Sequence, residues 1–134
     1  MEYKTSSEQE LIDLGKQIAE SFKPGDIVLL YGELGAGKTT MTKGIAEFFG
    51  IKDIVSPTFT LMQTYLDQNF VHIDTYRLED EEQLIEIGAE DYLGEPNTIC
   101  VVEWPEKIEV LLQNKKTVKI KIEHDGGGRK IITN

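Results

Sequence analysis

Cysteine is almost absent from this chain: Cys100 stands alone among 134 residues. One thiol excludes an internal disulfide and a cysteine-built metal site, and it fits a reducing, cytoplasmic setting. Arginine is nearly as scarce, with only Arg77 and Arg129. Basic charge as a whole is outweighed, since 24 Asp and Glu oppose 14 Lys and Arg and leave a net charge of −10. So acidic a surface repels a phosphate backbone, which argues against DNA or RNA gripped across a broad face. A polyanion has to be held at a local site that overcomes the global field. Long hydrophobic runs are missing too. The longest, Ile27 to Tyr31, is far short of a membrane span. Residues 1–10 are polar and acidic, without a secretory or transit pattern. No repeat, low-complexity tract or linker divides the chain, so one domain over 1–134 is expected. At this length folding buries roughly 65–70% of the unfolded surface, enough for a core without staples.

What is present reads as alternating helix and strand. Ser6 or Ser7, followed by acids and an amide, fits a capping box, and Leu11, Leu14, Ile18 and Phe22 continue at helical spacing over about 7–22. Pro24-Gly25 ends that helix, and Ile27 to Tyr31 reads as a buried strand. Met41, Ile45, Phe48 and Phe49 mark one face of a second helix, in which Gly44 is expected to allow a close approach to the sheet. Phe59 to Leu66 and Phe70 to Ile73 read as strands joined by a turn at Asp67-Gln68-Asn69. Glu79 to Asp91 is acidic and partly helical, with Leu84, Ile87 and Leu93 expected inward. Ile99 to Val102 is a further apolar strand, Pro105 to Leu112 a short helix, and 118–133 a hairpin turning at His124 to Gly128. Together these predict an α/β, three-layer P-loop NTPase-type fold with a mixed, mainly parallel sheet and antiparallel hairpin strands.

One loop carries the chemistry. Gly32-Glu33-Leu34-Gly35-Ala36-Gly37-Lys38-Thr39 matches G-x-x-x-x-G-K-[ST], with an apolar strand before it and an amphipathic helix after it. Leu34, Gly35, Ala36 and Gly37 can wrap backbone N–H groups around a phosphate chain, at a helix N-terminus that adds partial positive charge. Lys38 supplies a full charge to the β- and γ-phosphates, and the Thr39 hydroxyl is placed for Mg²⁺. Glu33 is expected to point outward.

A nucleotide triphosphatase also needs a carboxylate near the metal and a group to position water. Asp74 and Glu103 each follow an apolar strand, where ligands gather in open α/β sheets. His72 shares a strand face with Asp74. Trp104 either stacks near the site or packs in the core, and Thr58 lies in a loop that can line the γ-phosphate. Cys100 reads as inert core.

Among nucleotide enzymes, a nucleotide kinase wants more arginine than this for its second phosphorylated substrate. A kinase for an uncharged hydroxyl, or a binding module that uses nucleotide only as a switch, stays open. Guanine is disfavoured, since Asn114-Lys115-Lys116-Thr117 has threonine where an acid must accept from the ring.

The chain resembles the TsaE (YjeE) family of bacterial P-loop ATPases required for threonylcarbamoyladenosine in tRNA. The likeness spans nearly the whole length. It rests on Gly32 to Thr40, Ser56-Pro57-Thr58-Phe59, His72-Ile73-Asp74-Thr75-Tyr76-Arg77-Leu78 and Val102-Glu103-Trp104. It implies ATP as substrate, ADP as product and Mg²⁺ held by Thr39 and Glu103. It also implies that Asp74 assists hydrolysis, which joins Lys38 of the phosphate loop as the second expected catalytic residue, and slow turnover in isolation. It further implies action on a TsaD–TsaB complex, with any tRNA contact secondary. The turn at Gly126 to Gly128 with Arg129 is similar to a family segment near the nucleotide, and Ser6-Ser7 approaches the base in the same picture.

Overall fold

A computed structural model describes residues 1–57 and 61–134. Thr58 and Phe59, and with them the expected start of the strand at Phe59, lie outside the described residues. The chain runs β1 (Glu2–Thr5), α1 (Glu8–Ala19), β2 (Ile27–Tyr31), α2 (Lys38–Phe48), β3 (Met62–Tyr65), β4 (Phe70–Asp74), α3 (Glu82–Glu86), β5 (Ile99–Glu103), α4 (Glu109–Leu112), β6 (Thr117–Asp125) and β7 (Gly128–Thr133). Short 3₁₀ turns at Leu66–Gln68, Ala89–Asp91 and Pro105–Ile108 fill the connections.

The strands form one mixed, seven-stranded sheet in the order β1-β7-β6-β2-β5-β4-β3. Its centre, β6-β2-β5-β4, is parallel, while β3 pairs antiparallel with β4, β7 with β6, and β1 with β7. The expected α/β class therefore holds, with antiparallel strands at both margins. β1 is an addition to the expected elements. It is a short, polar strand whose unpaired edge carries charge, as exposed edges do.

Period-two alternation sorts the central strands between two cores. Val28, Leu30, Val101 and Phe70 face α1 and α2, together with Leu11, Leu14, Ile18, Met41 and Ile45. Ile27, Leu29, Cys100, Val102, Val71 and Ile73 face the opposite layer, built from Leu84, Ala89, Leu93 and Ile108. Each fully buried leucine or isoleucine contributes about 1.5–3 kcal/mol to holding the layers together. Ile87, expected inward, is 41% exposed instead. α3 ends at Glu86, so the helical spacing that would carry Ile87 to the core is not sustained.

α1 begins on Ser7, whose hydroxyl accepts from the Glu10 N–H at 3.1 Å, while Glu10 accepts from the Ser6 N–H at 3.1 Å. The first bond satisfies a donor that a helix start leaves orphaned, and the second ties the residue before the cap to the first turn. α1 and α2 then cross almost backbone to backbone. A Cβ on Gly44 would lie 2.1 Å from the Ile12 carbonyl oxygen, and one on Gly15 would lie 2.7 Å from that of Met41. The close approach at Gly44 is therefore to α1, not to the sheet. Helical rise places Gly44 on the side of α2 that meets its neighbouring helix, while Met41 and Ile45 take the sheet side.

Candidate functional site

The turn from β2 into α2 is made by Gly35 and Gly37, whose φ angles of 80° and 113° lie in the left-handed region that side chains disfavour. Gly37 is also the N-cap of α2 and supplies no side-chain bond to the helix start. The first N–H groups of α2 are thus left without a side-chain cap and with the dipole's positive end behind them. Glu33 is exposed, as expected.

Lys38 is the first residue of α2 and is only 5% exposed. Its Nζ donates to the Gly32 carbonyl at 2.5 Å and the Glu33 carbonyl at 3.0 Å, and it lies 3.9 Å from the centre of the Trp104 ring. Burial pushes the ammonium below its ordinary pKa, and the nearby carboxylates of Glu103, Glu106 and Asp74 oppose that shift. Trp104 reaches this position because its backbone turns into the left-handed region just after β5, at φ 60°. Such a conformation costs a non-glycine residue on the order of 1–3 kcal/mol unless its surroundings hold it. Thr75 holds it: its single hydroxyl hydrogen is shared between the carbonyls of Trp104, at 2.5 Å, and Glu103, at 3.1 Å.

Asp74 and Glu103 are paired neighbours at the carboxyl ends of the parallel strands β4 and β5. With residues 70 and 101 on the helix-covered face, alternation puts residues 72, 74 and 103 on that face as well, beside the start of α2. The Thr39 hydroxyl donates to Glu103, 3.0 Å from Oε1 and 3.3 Å from Oε2. Glu103 is 2% exposed and also meets His72, whose Nε2 is 2.6 Å from Oε2. Asp74 accepts from the Tyr76 N–H at 3.0 Å, which fixes its carboxylate toward the turn. Burial raises the Asp74 pKa above the usual carboxylate range, with the Tyr76 N–H pulling it back.

Leu34, Gly35, Gly37, Lys38, Thr39, Thr40, Asp74, Glu103 and Trp104 therefore line one cleft, of about 230 Å³. Of Leu34, Gly35, Ala36, Gly37, Lys38, Thr39, Asp74 and Glu103, all border it except Ala36, whose buried side chain packs into the core while its carbonyl accepts from Arg129 Nε at 2.8 Å. Oxygen ligands from Thr39 and Glu103, brought within hydrogen-bond distance at the edge of a phosphate-sized cleft, suit a hard cation such as Mg²⁺. Among the described residues, no group of three or more His, Cys, Asp or Glu is placed to enclose a metal by itself. A second groove, of about 260 Å³, lies on the other side of the loop between Thr5, Ser6 and Ser7, Gly127 to Arg129, and Thr40. The segments at Ser6-Ser7 and Gly127 to Arg129 thus flank the phosphate loop.

A family model described as "Threonylcarbamoyl adenosine biosynthesis protein TsaE" matches residues 5–131. The chain belongs to the TsaE family. The TsaE protein of Bacillus subtilis, named for tRNA threonylcarbamoyladenosine biosynthesis, is 40% identical over 136 residues, covering 99% of this chain and 84% of its own. That of Rickettsia conorii is 45% identical over 111 residues, covering 80% of this chain. The chain spans 62% of that relative's length, and 64% of the length of the Rickettsia felis relative. A crystal structure of Bacillus subtilis YdiB superposes with a TM-score of 0.82 at 35% identity, covering 99% of this chain and 83% of the other.

Within this TsaE-family fold, two contacts escaped sequence reasoning. The bond from His72 to Glu103 depends on β4 and β5 being neighbours, which residue spacing does not specify. The Arg129 clamp on Ala36, with a second contact to the Gly35 carbonyl at 3.3 Å, depends on where the final hairpin lands. Among the described residues no helix is long and apolar enough to cross a membrane.

Proposed function

We propose that this member of the TsaE family binds ATP with Mg²⁺, hydrolyses it to ADP in the cytoplasm, and so serves threonylcarbamoyladenosine formation on tRNA. The observation that carries the reading is the convergence of Lys38, Thr39, Asp74 and Glu103 on one cleft at the uncapped start of α2. The loop amides and Lys38 hold the phosphates, with the Lys38 ammonium exchanging the Gly32 and Glu33 carbonyls for phosphate oxygens. Thr39 and Glu103 hold Mg²⁺, which neutralises charge on the phosphates when bound. Asp74 orients the attacking water. Its raised pKa makes it a better proton acceptor than an ordinary aspartate, as a general base requires. The groove between Ser6-Ser7 and Gly127 to Arg129 gives room for the nucleoside end.

Neither arginine is free to act as a finger within this reading: Arg129 is spent on the loop's own carbonyls, and Arg77 follows β4 outside the cleft lining. Turnover by the chain alone is therefore slow, and a partner supplies the missing cation or orders the site. The partner is a TsaD–TsaB protein complex. A net charge of −10 favours docking to protein over a grip on tRNA. The deciding assay is release of inorganic phosphate from ATP with and without TsaD–TsaB, for the wild type and Lys38→Ala. Acceleration by the complex, abolished in a folded Lys38→Ala, is the expected result. Normal hydrolysis by that variant would remove Lys38 from the mechanism. Label passing from the γ-phosphate to an organic hydroxyl would instead mark a small-molecule kinase. Partner binding that needs ATP but not its hydrolysis would mark a switch.

A further inference from the structure

His72 is a buried histidine that the proposed chemistry does not use, and its surroundings are unusual. The residue is fully buried, yet among the described residues its Nδ1 has no hydrogen-bond partner. Among the described residues the ring's polar contact is Nε2 to Glu103 Oε2 at 2.6 Å. A carboxylate only accepts, so Nε2 carries the hydrogen. Leaving the buried Nδ1 unsatisfied is unfavourable, and an aliphatic side chain would avoid the cost in a strand as apolar as Phe70–Asp74. The histidine therefore serves the carboxylate rather than the core.

Register explains how it reaches. β4 and β5 pair in parallel, with Asp74 beside Glu103 and His72 beside Val101, so His72 lies diagonally behind Glu103 on the same face. It meets Oε2 of the carboxylate. Oε1 is the oxygen nearer the Thr39 hydroxyl, at 3.0 Å against 3.3 Å for Oε2. Without His72, Thr39 is the side-chain hydrogen-bond partner left to Glu103 among the described residues, at the end where the cation would bind.

We propose that His72 is a positioning residue: its Nε2–H holds Glu103 so that one carboxylate oxygen stays beside Thr39 for Mg²⁺. This rests on the ATP·Mg²⁺ reading above. Carboxylates that ligate metals are themselves held by hydrogen bonds, and loss of such a partner typically weakens metal affinity 10–100-fold.

The test is calorimetric titration of the full chain with ADP, in EDTA and across a Mg²⁺ series, alongside thermal melts. Three variants are compared: His72→Gln, which keeps an N–H donor near the Nε2 position; His72→Asn, equally polar but too short to reach Glu103; and His72→Leu, which fills the space without a donor. The expected result is that ADP affinity in EDTA is unchanged in all three. The Mg²⁺ needed for half-maximal tightening should rise about tenfold or more in His72→Asn and His72→Leu, and stay near wild type in His72→Gln. Should His72→Leu fail to fold, the Gln and Asn pair decides the matter. Equal Mg²⁺ dependence in those two variants, or losses that track melting temperature instead of reach, would overturn the positioning role alone. A wild type whose ADP affinity ignores Mg²⁺ would overturn the metal reading and this proposal with it, so the two failures are told apart by the wild-type arm.

Discussion

Gly44→Ala pits two effects of opposite sign against each other. Alanine is the better helix former by about 1 kcal/mol, so an isolated α2 would gain. In the folded protein the added methyl would sit 2.1 Å from the Ile12 carbonyl oxygen, 2.9 Å from its carbonyl carbon and 3.1 Å from its Cα. Ordinary contacts lie at about 3.5 Å, so α1 and α2 must part by about 1 Å or more. No rotamer change relieves this, because every atom struck is helix backbone. The cost therefore falls at the upper end for overpacking, about 3 kcal/mol, and the net loss is about 2 kcal/mol. At ~2.1 cal/mol/K of unfolding entropy per residue, that lowers the melting temperature by about 7 °C. Differential scanning calorimetry measures it directly. Gly127→Ala is the control, since nothing lies within 4 Å of its Cβ and its φ is not left-handed. It should change stability by less than about 0.5 kcal/mol. A melting temperature for Gly44→Ala equal to or above wild type would refute the helix crossing. Because Leu11 of α1 also lies under Gly37, 2.6 Å from where its Cβ would be, the same variant should weaken nucleotide binding by moving the loop's support.

Asp74 has a folded pKa raised by burial, so above the ordinary carboxylate range the native state holds a proton that the unfolded chain has released. Its contribution to stability therefore falls as pH rises through that window, and Asp74→Asn should gain on wild type from acid to neutral pH in urea midpoints. The same variant should retain ATP binding and lose turnover; equal loss of both would remove Asp74 from the water-positioning role. Cys100 is fully buried and its thiol is pushed up to about 12, so an aromatic disulfide reagent at pH 8 should label it no faster than the protein opens. Prompt labelling of native protein would contradict that. Ser7→Ala removes the acceptor for the Glu10 N–H and should cost about 1 kcal/mol, readable as a melting shift of about 4 °C, whereas Ser7→Gly should cost a few tenths.

Local chemistry was legible in the residues. The loop from Gly32 to Thr39, the Ser7 cap and the apolar strands β2 and β5 each declare themselves within a few positions. Asp74 and Glu103 were also readable as strand-end acids, because alternation tells which face a residue takes. It does not tell which strand lies alongside. The His72 contact, the seat of Gly44 against Ile12 and the reach of Arg129 back to Ala36 all join residues distant in sequence, and no periodicity encodes them. β1 was missed for another reason: a polar edge strand, paired only with β7, has no apolar stripe to betray it. Ile87 went wrong because helical spacing was extended past the end of a five-residue helix.

The central strand has a consequence for how the molecule is made. β2 hydrogen-bonds to β5 and β6, so Ile27 finds its partners in Cys100 and Thr117. Synthesis delivers β2 and the loop after it long before either flanking strand. Until then the most apolar run in the chain has no ladder to join. Folding must close large loops before it gains the central pairing, a topology that slows the search and leaves that segment open to chaperones in the interval.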